Sequence, residues 1–149
     1  MKPSPTNIKK KLKSMFSAPE HPSKLSANME DYLEAVSLCA NEKGVARVSD
    51  IRDMMNVKTP SVTGALKALV VGGYVCHQPY GGVELTAKGR RTAEDVKKRH
   101  AILSRFLTQV LGVNSKTADL DACKMEHTIS RETLNKLHEF LKKSKAQEK

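Results

Sequence analysis

The sequence predicts a mainly α-helical fold with a small β wing, in which a winged helix-turn-helix domain is followed by a helical dimerisation domain. Three observations carry that prediction. Thr59-Pro60 opens a helix directly after a short amphipathic one, because Thr is a preferred cap and Pro suits the first helical position. Gly72-Gly73 stops that helix, and two alternating runs, Tyr74-Val75-Cys76-His77-Gln78 and Val83-Glu84-Leu85, flank the turn Pro79-Tyr80-Gly81-Gly82. The helices beyond this ribbon carry more apolar surface than a small winged module needs, and a second copy of the chain would cover it.

In chain order, residues 1–26 read as a basic, mostly disordered arm, with Pro at 3, 5, 19 and 22 and six Lys against one Glu. The arm suits either a nonspecific phosphate contact or a solubilising tail. From Ser26 or Asn28 as cap, a helix buries Tyr32, Leu33, Val36, Cys39 and Ala40 and ends at Gly44. A short helix from Ser49 turns Ile51 and Met54 or Met55 inward, and Asn56-Val57-Lys58 breaks it. The next helix, capped by Thr59, buries Val62, Leu66, Leu69 and Val70 and leaves Ser61, Thr63, Gly64 and Lys67 outward, as a major-groove helix requires. Lys88, Arg90 and Arg91 follow the ribbon, in reach of phosphate. Thr86 caps a long helix to about Leu111, with Val96, Leu103, Leu107 and Val110 buried. The domains expected are 27–95 for the winged module, 96–143 for the helical one, with Ser130 capping its last helix over Leu134, Leu137, His138 and Leu141, and 144–149 for a Lys-rich tail.

Composition narrows the function. A formal net charge of +10 is the balance of a protein that meets phosphate, while 4% aromatic residues and no Trp argue against a stacking platform for single strands. Double-stranded DNA is the partner these features suit. Three Cys at irregular spacing make no disulfide framework, and no apolar segment resembles a signal peptide or membrane span, so a cytoplasmic protein with reduced thiols is expected.

The chemistry concentrates in Cys123-Lys124-Met125-Glu126-His127. On a helix, steps of three and four place Cys123, Glu126 and His127 on one face, and a thiolate, a carboxylate and an imidazole together suit a divalent transition metal. The same residues also read as a small buried hydrophobe, a solvated charge and a dipole-facing His. His100, on an apolar stripe, is equally a packed core residue, and Asp31 with Glu34 a solvated acidic pair near a helix start.

Met29-Glu30-Asp31-Tyr32-Leu33-Glu34, Gly44-Val45-Ala46-Arg47-Val48-Ser49-Asp50-Ile51, Pro60-Ser61-Val62-Thr63, Leu85-Thr86-Ala87-Lys88-Gly89, Arg99-His100 and the Cys123–His127 block stand in one order. In that order and spacing the chain resembles the diphtheria toxin repressor family, which includes iron- and manganese-dependent regulators, over residues 27 to about 142. The resemblance implies a homodimeric winged-helix repressor that binds operator DNA when loaded with metal and controls metal-uptake genes. Carried over by position, the metal ligands are Asp31, Glu34, His100, Cys123, Glu126 and His127, and the DNA-facing set is Arg47, Thr59, Pro60, Ser61, Thr63, Lys67 and Lys88. Asp31 matches the manganese type and Cys123 the iron type. A thiolate favours Fe2+, Co2+, Ni2+ or Zn2+, and availability narrows these to Fe2+; Asp31 and Glu34 pull towards Mn2+. The resemblance departs at Ser104, where an acid would stand, and at Asp119, which replaces an ancillary His; it also stops short of an SH3-like third domain. No small organic substrate is implied. Two rival readings are a winged-helix regulator that ignores metal and a hydrolytic zinc enzyme, the latter lacking a second catalytic motif.

Overall fold

The computed structural model describes residues 25–78 and 81–147, so most of the basic arm and the turn residues Pro79 and Tyr80 lie outside it. Helix α1 spans Ala27–Cys39, and the Ser26 side chain accepts the Met29 amide at 3.3 Å, one of the two caps expected. Tyr32, Leu33, Ala35 and Val36 form its buried face, while Cys39 and Ala40 are only half-buried. The helix ends at Ala40, earlier than expected. The Asn41 side chain then accepts the amides of Lys43 (2.9 Å) and Val45 (3.1 Å), and Gly44 takes the positive φ of 79° that this turn requires.

That turn delivers β1 (Val45–Ala46), a strand the sequence reading missed because two residues cannot display a period. It pairs antiparallel with β3 (Val83–Leu85), which also pairs with β2 (Val75–His77), giving the order β1-β3-β2. The wing is therefore anchored to the chain ahead of the helix-turn-helix. Gly82 permits the approach, since a Cβ there would collide with the Ala46 carbonyl.

Helix α2 (Val48–Met55) is capped by Arg47 rather than starting at Ser49; it buries Ile51 and packs Met55 on the core, while Met54 stays half exposed. Asn56 closes it in the left-handed region at φ 51°. Helix α3 (Thr59–Val71) has Lys58 as its cap, so Thr59 is its first residue and not its cap. Its inner face is Val62, Ala65, Leu66 and Leu69; Val70, expected inward, is 42% exposed because that buried arc is centred towards Ala65 and leaves Val70 at its opposite edge. Ser61, Thr63, Gly64 and Lys67 are exposed, as a groove-facing helix needs.

Helix α4 (Ala87–Arg105) begins at Thr86, whose hydroxyl accepts the Gly89 amide at 3.0 Å and donates to the Gly73 carbonyl at 2.7 Å. A Cβ at Gly89 would strike the Tyr74 carbonyl, so this glycine lets α4 seat against β2. The helix crosses the boundary expected at 95/96 without a break, with Ala93 in the winged core and Val96, Arg99 and Leu103 buried further on. A π-turn continues it over Phe106–Val110. The wider turn shifts the phase of the stripe, so Leu107 stays buried while Val110 is 37% exposed. Helix α5 (Ser115–Met125) lays Ala118 and Ala122 on α4, and α6 (Arg131–Gln147) buries Leu141 and extends through 144–147, where a tail was expected. Leu111, Leu120 and Phe140 remain about half exposed on this helical part.

Candidate metal centre

Three elements converge at the joint between the two parts: the first turns of α1, the middle of α4 and the end of α5. Helix α5 stops at Met125, so Glu126 is its cap and His127 stands in the turn beyond it, not on the helical face the spacing suggested. The departure matters because it swings His127 towards α1. His127 Nδ1 lies 3.0 Å from Glu30 Oε2, while Nε2 lies 2.7 Å from Asp31 Oδ1 and 3.4 Å from Glu126 Oε1.

On the other side of Glu126, His100 Nδ1 lies 2.8 Å from Glu126 Oε2 and 3.7 Å from Cys123 Sγ, and its Nε2 lies 2.6 Å from Asp119 Oδ1. Potential ligand atoms thus fall into two groups that share Glu126: His100, Cys123 and Glu126, and Asp31, Glu126 and His127. Glu34 belongs to neither, although its charge acts on Glu126 and Cys123.

The donor set fits a divalent cation. His127 Nε2 is buried with no hydrogen-bond partner although two carboxylate oxygens are near, because neither lies along an N–H direction. With the proton assigned to Nδ1 facing Glu30, Nε2 presents a lone pair to two anionic oxygens, an arrangement that a cation between them relieves. Two carboxylates, two imidazoles and a thiol are ligands that first-row metals accept.

The electrostatics point the same way. Burial pushes the Glu126 carboxyl up to about 7, with Glu34 adding to the rise and His100 opposing it. Burial also raises the Cys123 thiol, helped by Glu126, Asp119, Glu34 and Asp31. His127 is raised chiefly by its hydrogen bond to Glu30. For His100 burial works against the charged ring, yet Asp119 and Glu126 outweigh it and the pKa rises. The shifts at Glu126, Cys123, His127 and His100 all favour the protonated form, as a cluster short of positive charge requires.

Two residues the sequence reading left out of the site complete it. Glu30, 1% exposed, and Arg99, 3% exposed, form a buried ion pair at 2.8 Å, and Arg99 also donates to the Glu126 carbonyl at 2.7 Å. The signal was in the sequence: Glu30 stands three before the core residue Leu33, and Arg99 three after Val96 and four before Leu103, so both sit on buried faces where a charge requires a partner.

On the winged part, Arg47, Thr59, Pro60, Ser61, Thr63 and Lys67 are all exposed along one end of α2 and α3. The Thr63 hydroxyl donates back to the Thr59 carbonyl at 3.1 Å. Lys88 differs from the rest of this set: its ammonium donates to the Gly72 carbonyl at 2.8 Å and sits 4.2 Å from the centre of the Tyr74 ring, so it closes the joint between α3 and α4.

A winged helix-turn-helix joined through such a cluster to a helical second part defines a class, the metal-responsive DNA-binding regulators. Residues 24–83 match the iron dependent repressor N-terminal DNA binding domain, and residues 86–148 match the iron dependent repressor metal binding and dimerisation domain. The chain belongs to this iron-dependent repressor family. It is 37% identical over 122 residues to an uncharacterized HTH-type transcriptional regulator of Methanocaldococcus jannaschii, covering 81% of this chain and 98% of that one. It is 39% identical over 115 residues to the transcriptional regulator MntR of Escherichia coli O6:H1, covering 77% and 74%. Among solved structures it resembles T. acidophilum IdeR (TM-score 0.66, 27% identity, 75% of this chain and 53% of that one). It also resembles the manganese regulator SloR (TM-score 0.69, 26% identity, 79% and 55%). Membership makes the protein a transcription regulator and not an enzyme. No helix among the described residues is long and apolar enough to cross a membrane.

Proposed function

We propose that this protein is a cytoplasmic, homodimeric repressor that binds operator DNA when loaded with Fe2+ and so controls metal-uptake genes. One observation carries the reading: the unpartnered Nε2 of His127 faces carboxylates from both parts of the chain, Asp31 on α1 and Glu126 at the end of α5. Ligands drawn from two parts make metal occupancy a statement about how those parts are docked.

A divalent cation, when bound, supplies positive charge that offsets the mutual repulsion of Asp31, Glu34 and Glu126. The protein's own groups do the rest. His127 and Asp31 hold the start of α1 to the end of α5, and His100 with Cys123 hold α4 to α5. The Glu30–Arg99 pair ties α1 to α4 as well, so the joint tightens about an existing attachment instead of forming from loose parts. In a dimer covering Leu111, Leu120 and Phe140, a stiffened joint sets the separation of two α3 helices. Successive major grooves need about 34–36 Å. Pro60, Ser61 and Thr63 then meet base edges, and Arg47, Thr59 and Lys67 the backbone, with DNA shape carrying more of the readout where Gly64 offers no side chain.

Cys123 supports Fe2+ as effector, since a thiolate is a poor partner for hard Mn2+. A second reading, Mn2+, has its own observation in the group of Asp31, Glu126 and His127, which contains only nitrogen and oxygen donors. Anaerobic fluorescence anisotropy on DNA from upstream of its own gene and of a metal-uptake gene tests both, in chelator, Fe2+ and Mn2+. Metal-dependent binding is expected, with Fe2+ activating at concentrations nearer those in cells. Equal binding in chelator would overturn the sensor reading.

A further inference from the structure

Each imidazole in the cluster turns one nitrogen towards the shared Glu126 and the other towards a carboxylate outside the ligand groups. For His100 the outer partner is Asp119, whose side chain is 65% exposed; for His127 it is Glu30, 1% exposed. An outer carboxylate fixes which ring nitrogen carries the proton and makes the opposite nitrogen a better ligand. An exposed carboxylate does this loosely, since water competes and the side chain is free to swing. A buried one, held on its far side, does it rigidly.

Glu30 is so held. Its Oε2 takes the Arg99 guanidinium at 2.8 Å and His127 Nδ1 at 3.0 Å, and a second guanidinium nitrogen of Arg99 holds the Glu126 carbonyl at 2.7 Å. One arginine on α4 therefore grips both the carboxylate that orients His127 and the backbone immediately before it. Glu30 stands outside the potential ligand groups found among the described residues. Its neighbour Asp31 is inside one, so the same turn of α1 supplies a ligand and the group that aims the opposing ligand.

We infer that Glu30, locked by Arg99, is the positioning residue for His127: it presents Nε2 to the metal and makes the His127 half of the centre the preorganised half. This rests on the metal reading of the cluster given above and extends it to residues outside the ligand set. Loss of an outer carboxylate lowers metal affinity by about 10–100-fold in comparable sites. Here that loss should fall on the His127 half, because Glu30 holds His127 Nδ1 directly whereas the outer carboxylate of His100 is Asp119.

The test is Co2+ titration of the full-length protein and of Glu30→Gln, reading two signals. Thiolate-to-metal charge transfer reports the Cys123 half, and stoichiometry with affinity from equilibrium dialysis reports the whole. In Glu30→Gln the charge-transfer band should persist at wild-type midpoint while the binding assigned to His127 weakens about 10–100-fold. Unchanged affinity would overturn the inference, and so would equal weakening of both signals, which marks a merely structural role. Failure of the wild-type protein to take Co2+ would instead sink the metal reading beneath it. Should Glu30→Gln not fold, Arg99→Lys is measured in the same way, with a smaller loss confined to the same half supporting the inference and an unchanged or uniform result overturning it.

Discussion

The two halves of the proposed metal centre place similar side chains in opposite settings. The His127 half has its imidazole 6% exposed and backed by an ion pair that is itself buried, with only Asp31 reaching outward; the His100 half opens outward through Asp119 and an exposed Cys123. The contrast separates two jobs that one cluster must do. Under the proposed function, the more enclosed half is expected to set affinity and join the domains, and the exposed half with its thiol to exchange readily and discriminate between metals.

The largest expected effect comes from breaking the support of the buried half. Arg99→Leu leaves Glu30 buried without its cation and should destabilise the fold by about 3–5 kcal/mol in urea denaturation. A loss below about 1 kcal/mol would mean the pair behaves as a solvated one. Next is the shared carboxylate: Glu126→Gln weakens both halves together, so metal-dependent DNA binding should fall at least about 100-fold, roughly 3 kcal/mol, by anisotropy. Retention of one half would show that the two do not share it.

Acidity sharpens the comparison further. Glu126 titrates near 7 when folded against 4.5 unperturbed, so between those values the folded state holds more protons and apo stability falls as pH rises. His100 and His127 are also raised, and their stabilising contribution is lost as pH climbs through their folded values. The three effects add. The urea midpoint of metal-free protein should be lower at pH 8 than at pH 5, and metal should remove most of the difference; an apo midpoint that rises with pH would contradict the burial of Glu126.

Smaller changes act on the exposed half alone. Cys123→Glu replaces the soft donor and should move the activating preference towards Mn2+ by about tenfold, read as the ratio of Fe2+ to Mn2+ midpoints in anisotropy. An unchanged ratio would remove the thiolate as selector. Asp119→Asn should cost only a few-fold in affinity, less than Glu30→Gln, because its carboxylate is solvated; a larger loss would reverse the ranking of the halves.

Much of this architecture was legible beforehand because periodicity marks long elements. Helices α1, α3, α4 and α6 announce themselves through apolar stripes and the caps at Ser26, Thr86 and Ser130. Strand β1 did not, since two residues have no pattern and its place is set by β3, a partner some forty residues away. Val70 and Val110 were misplaced for a related reason: a stripe counted at 3.6 residues per turn cannot anticipate that the buried arc of α3 is centred towards Ala65, or that a π-turn intervenes. The residues that gather in the cluster, all but Glu34 of those expected, were visible through block order. Their division into two groups was not, because it depends on His127 leaving the helix. Glu30 and Arg99 escaped because a charge in sequence reads as surface unless its place on a buried face is weighed, and the partner that each requires lies 69 positions away.

That long-range pair also bears on how such a chain can change over generations. Position 30 and position 99 lie far apart in the gene, yet neither can lose its charge alone without passing through a form that carries an unpaired buried ion. Compensation would require both codons to alter nearly together. The exposed residues of the cluster are under no such bond, so Asp119 and Cys123 can be exchanged singly while the fold survives. Descendants of this protein should therefore diverge in the metal they answer to long before they diverge in how the answer reaches DNA.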